Sequence, residues 1–288
     1  QAIEQTAADE EGGVEAKVID YDMIRVKGDV NVDLSLHDVQ PTDSYILRDA
    51  EGITAPEFNM QIKNTLYQGG VFQNRQALNK QVVLNIKLNP NYGAGETVKS
   101  LRQNLYKMLS PRWQRPVKVQ LVLAGAVQAE IEGHVSGMPM NPFTKEPMVQ
   151  VAIDCLSACW FAPTPVNYLP TSPADLLIDY PGSAPVGFWM QVQFTGSVVT
   201  FEVNHTDNPF EKVRLNRSFV AGDVLTIDTR PGLRSVVLTR EGVPESVLAA
   251  LSTDSKWVEI YEGLNDFDMN TEAFTWLGVS FIPQWWGA

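Results

Sequence analysis

The chain has 288 residues, room for two domains, with 44% hydrophobic and 19% charged residues. Its net charge of -12 excludes a general basic footprint for nucleic acid. No window approaches the ~18 apolar residues of a membrane-spanning helix, and two cysteines do not make a disulfide framework.

Residues 1–16 carry Glu4, Asp9, Glu10, Glu11 and Glu15 with no Lys or Arg, and Gly12-Gly13 interrupts them. Residues 1–20 therefore read as a flexible acidic arm, either without a role or ordering against a neighbouring subunit. These charges are followed by no apolar run, so no secretory signal and no secretion are expected. The matches to the glycosylation pattern at Asn204 and Asn216 then read as chance.

Strand signals follow. Val30, Val32, Leu34 and Leu36 alternate with polar residues, the period-two pattern of a half-buried strand. Tyr45-Ile46-Leu47 starts a short segment, and Phe58, Met60 and Ile62 alternate with Asn59 and Gln61. Gly69-Gly70 reads as a turn or bulge. Val82, Leu84, Ile86 and Leu88 give one of the cleanest strands. The spacing predicts one helix over residues 96–109, with Val98, Leu101, Leu105 and Met108 on its apolar face and Ser110-Pro111 as its stop. Strands resume at Val117, at Ala129 and at Met148.

Residues 161–173 contain Pro163, Pro165, Pro170 and Pro173, which predicts a semi-rigid boundary. The reading is an arm at 1–20, a first domain at 21–163 and a second at 164–288. Beyond the boundary, short strands at about 189–194, 198–203, 212–215, 223–228, 235–239 and 273–281 follow, spaced for a sandwich or barrel. One helical turn is expected at 247–251.

No catalytic or metal-binding constellation emerges. His37, His134 and His205 stand apart from ligand-spaced partners, and no nucleophile or phosphate-binding motif is present. Asp266 and Asp268 flank Phe267 in an apparent loop, and with Asp175 and Asp179 they read as solvated acids. Cys155 and Cys159, four apart, read as two reduced, buried thiols. Trp189, Trp257 and Trp276 read as sandwich core, and Trp285-Trp286 as cover for a subunit or domain contact. Gly263-Leu264-Asn265 lacks the following helix and further glycines of a nucleotide loop. Catalytic, metal and cofactor residues are therefore expected to be none, and the protein is expected not to be an enzyme.

The order of the pieces resembles a family. Tyr45-Ile46-Leu47, Gly69-Gly70-Val71-Phe72, the strand at 82–88, the helix, and Asp154 to Phe161 come first. Leu225-Thr226-Ile227-Asp228-Thr229-Arg230-Pro231-Gly232, Ser255-Lys256-Trp257 and Glu262-Gly263-Leu264-Asn265 follow. Over roughly residues 20–288 this resembles the distal tail proteins of siphoviruses. The resemblance implies a mainly β protein with one helix in a ring-forming first domain, and a galectin-like β-sandwich behind it. It implies a homo-hexamer at the phage tail tip, in the virion and assembled in the host cytoplasm. The ring would join the tail tube protein to the tail-tip hub, carry receptor-binding components and pass DNA through its channel without specific binding. The acidic balance is compatible with such a passage. The alternative is a carbohydrate-binding module for host-surface sugars, suggested by a Trp-rich second half.

Overall fold

The computed structural model describes residues 21–28, 31–35, 43–65, 69–109, 116–140, 146–173 and 175–287. The acidic arm, Val30, Leu36, His37 and the helix stop at Ser110-Pro111 lie outside them. The first half opens with β1 (Met23–Lys27), β2 (Asn31–Ser35) and β3 (Tyr45–Glu51). Next come β4 (Phe58–Thr65), β5 (Gly69–Ala77), β6 (Gln81–Leu88) and α1 (Val98–Met108). Then come β7 (Val117–Leu123), β8 (Ala126–Gly137), β9 (Met148–Cys155) and β10 (Trp160–Phe161). Seven of these strands form one antiparallel sheet in the order β2-β1-β7-β8-β9-β6-β3. Its two end strands come back into contact with each other, so the sheet curls around its apolar face. The alternation is the cause: Val82, Leu84, Ile86 and Leu88 all turn inward, as do Val149, Val151 and Ile153 opposite them.

The helix sits where its apolar residues were expected. Leu101 and Leu105 are buried, and Val98 and Met108 pack against the same core. Thr97 and Ser100 form a reciprocal capping box at its start. The Tyr45 hydroxyl donates to the Leu101 carbonyl at 3.0 Å and ties the helix to β3. Gly69 and Gly70 are not a turn: they open β5 and pair with Thr65 and Asn64, while the register shift falls at Gln61/Ile62. Glycines with no side chain to place fit a ladder end as readily as a bend. Among the described residues β4 and β5 pair only with each other.

The second half contains β11 (Val166–Tyr168), β12 (Asp175–Tyr180), β13 (Trp189–Phe194), β14 (Phe201–His205) and β15 (Asn208–Leu215). It continues with β16 (Val224–Asp228), β17 (Ser235–Arg240) and β18 (Val243–Ser246). It closes with β19 (Gly263–Met269), β20 (Phe274–Phe281) and β21 (Gln284–Trp285). One sheet runs β11-β20-β13-β16-β17-β18 and the other β12-β19-β14-β15. Their inner faces share one core, including Phe188, Phe194, Phe201, Phe219 and Phe267, so this is a two-sheet β-sandwich. Within the proline-rich residues 161–173, Val166 to Tyr168 pair with β20 as an edge strand. Asp266 and Asp268 lie on strand β19, not in a loop. Burial of Asn265, Phe267 and Met269 on the core side forces the two acids to the other face. Trp257 does not lie in a strand; Ile260 makes only an isolated bridge with Val186. The expected helical turn is a short 3-10 turn at Leu248–Ala250.

Candidate functional site: the junction and the lone hairpin

The residues singled out for chemistry do not converge. His134 lies on β8, opposite Asp154. His205 is 4% exposed and packs edge-on against Phe267 and Tyr261. Its Nε2 lies 3.2 Å from Asn265 Oδ1. Cys155 and Cys159 are both buried free thiols, and burial pushes each up to about 11. Among the described residues no group of three or more His, Cys, Asp or Glu side chains could hold a metal ion.

The sequence motifs serve the fold. The Asn265 amide donates to the carbonyls of Tyr261 at 2.6 Å and Gly263 at 2.8 Å, and its oxygen accepts from the Tyr261 N–H at 2.7 Å. Gly263 has φ +88°, which glycine adopts without strain. Thr229 exchanges hydrogen bonds with the backbone of Phe188. Asp228 pairs with Arg230 at 2.5 Å, and a side chain at Gly187 would meet Arg230 Cα at 2.6 Å. These contacts lock the turn after β16 onto the loop before β13.

The tryptophans divide by place. Trp160 and Trp276 are buried, Trp257 packs against the sandwich core, and Trp189 is half-buried. Trp285 pairs with Trp160 across β21 and β10, so the chain returns from the sandwich to the first sheet. Sequence reasoning missed Lys80, which is 5% exposed and donates to the carbonyls of Thr54 and Trp286, both at 2.8 Å. Burial pushes its ammonium down to about 8. No local pattern marks it, since its partners are 26 and 206 residues away.

The second half is thus a β-sandwich whose motifs serve its own turns, joined to a curled sheet with a hairpin that pairs with no other described strand. Residues 181–285 match the family model described as the siphovirus-type tail component, C-terminal domain. No curated protein matches the chain. The Dit protein of phage SPP1, described as a paradigm of the hub adsorption apparatus in phages infecting Gram-positive hosts, superposes with a TM-score of 0.61. The match is 12% identical and covers 91% of this chain and 98% of that one. A chain of the phage P2 baseplate in its activated conformation with calcium matches at 8% identity and a TM-score of 0.39, covering 91% of this chain and 97% of its own. Residues 181–285 are thus similar to a siphovirus-type tail component domain, and the chain as a whole is Dit-like in fold, mainly β with a single α-helix among the described residues.

Proposed function

We propose that this chain is a distal tail protein, a structural component of a phage tail tip. Six copies would form a ring that joins the tail tube to the tail-tip hub and lets DNA through. The observation that carries the reading is a Dit-like fold over 91% of the chain together with a tail-component match in its second half. The proposed division is an arm at 1–20, a ring-forming domain at 21–163 and a galectin-like sandwich at 164–288, the last outside the ring. The lone β4–β5 hairpin supports assembly, because a two-stranded ribbon is marginal in water until something packs on it. Receptor-binding components are the further partners this reading expects.

Charge is distributed unevenly. Residues 21–163 carry 14 Lys and Arg against 13 Asp and Glu, whereas residues 164–288 carry 7 against 15. The acidity therefore lies outside the proposed ring domain, and a repelling acidic channel is no longer an argument for DNA passage. A ring domain of nearly balanced charge carries no large net basic excess to hold DNA.

Purified full-length protein is expected to form sixfold rings in electron micrographs, and antibodies against it should label the tail tip. A chain that stays monomeric at every concentration and is missing from virions would overturn the proposal.

A further inference from the structure

After β20 the chain passes from the sandwich into residues 284–287, which touch both halves. On the sandwich side, the Gln284 N–H donates to the Tyr180 hydroxyl at 2.9 Å, and that hydroxyl donates to the Ala184 carbonyl at 2.7 Å. The Trp285 indole donates to the Pro181 carbonyl at 3.2 Å, and the Trp286 N–H to Ser183 Oγ at 3.1 Å.

On the other side the partners are the two legs of the hairpin. Thr54 and Ala55 lead into β4, Phe58 opens it, and Lys80 follows β5. The Trp286 ring meets Phe58 edge-on, with centroids 5.1 Å apart. Lys80 Nζ bridges the Trp286 and Thr54 carbonyls and lies 5.7 Å from the Trp160 ring centroid. A side chain at Gly287 would stand 2.8 Å from the Ala55 nitrogen, so the backbones are in close approach there. A buried ammonium must keep its acceptors, since leaving it unpaired is costly. Both acceptors are backbone carbonyls from different parts of the chain, so a shift of the Trp286 backbone once its ring no longer packs on Phe58 loosens the Thr54 contact as well.

We propose that residues 284–287 are a strap that couples the sandwich to the root of the β4–β5 hairpin, with Lys80 as its clamp. A displacement of the sandwich by whatever binds it is then passed to the direction of the hairpin. The strap belongs to a single chain and does not depend on ring formation.

Hydrogen exchange by mass spectrometry on the full chain tests this. Trp286→Ala and Gly287→Val should each speed exchange of the β4 and β5 amides by roughly tenfold. Amides of β6, β9, β13 and β16, inside the two cores, should keep their protection. Lys80→Met should act in the same direction. If that variant fails to fold, the other two decide, because both change residues outside the cores. Unchanged hairpin exchange in Trp286→Ala and Gly287→Val overturns the strap. So does a uniform rise over the whole chain, which reports lost global stability rather than coupling.

Discussion

Asn265 is 1% exposed and its carboxamide bonds at both ends. Asn265→Ala leaves one N–H and two carbonyls of the 261–263 turn without partners. The expected cost is about 3 kcal/mol, read as a lower urea midpoint at unchanged m-value. Asn265→Asp, which keeps the acceptor and loses both donors, should recover little of it. The Gly-x-Asn pattern was legible in the sequence, but its task was not, because Asn265 serves a turn whose shape appears only in the fold. Two buried thiols and one buried ammonium also make stability depend on pH above neutrality. Burial holds the thiols of Cys155 and Cys159 at about 11, above their ordinary 9.0. The unfolded chain ionises first, so their contribution is intact below pH 9 and is lost as pH rises through 11. Lys80 has the opposite sign: its value falls from 10.5 to about 8. Its contribution is lost as pH falls through 8 and grows between about 8 and 10.5. In denaturation across that range, a Cys155→Ala/Cys159→Ala variant should decline less from pH 9 to 11 than the parent. Lys80→Met should lack the rise that begins near pH 8.

At the scale of elements, two tight hairpin turns carry the wrong residue for their geometry. Ala124-Gly125 joins β7 to β8 with φ of 50° and 77°, and Glu241-Gly242 joins β17 to β18 with φ of 51° and 79°. Left-handed backbone at both positions favours Asn-Gly. Ala124→Asn and Glu241→Asn should each stabilise by about 0.5–1 kcal/mol, seen as an upward shift in the thermal midpoint. The capping box of α1 predicts the reverse. Thr97→Ala should cost about 1 kcal/mol and speed exchange of the first-turn amides. Strand periodicity was legible wherever one face is buried, as in β6. It failed for β19, where Asp266 and Asp268 resemble a polar loop until Phe267 is seen pointing into the sandwich.

At the scale of the whole molecule, two apolar cores share no residue, one running from Ile24 to Trp160 and the other from Leu176 to Phe281. Charge follows a similar division, balanced in residues 21–163 and acidic in 164–288. The chain is therefore expected to retain no double-stranded DNA in a filter-binding assay near physiological salt. Retention there would count against a passage that DNA slides through. The return of residues 284–287 to the first sheet joins the halves; Trp285-Trp286 pointed to such a contact in the sequence, but not to Trp160 and Lys80 as its partners.

Local pattern was enough for the β-rich class, the helix at 98–108, a second half built as sandwich or barrel, and the motifs that resemble a tail component. Each of these is written in local periodicity, turn chemistry or short residue strings. The fold alone reveals that the proline-rich stretch pairs as an edge strand, that the hairpin stands alone among the described strands, and that Lys80 donates to the Trp286 carbonyl. Those features depend on which distant backbones meet, and a hydrogen bond across 206 residues leaves no trace in either neighbourhood.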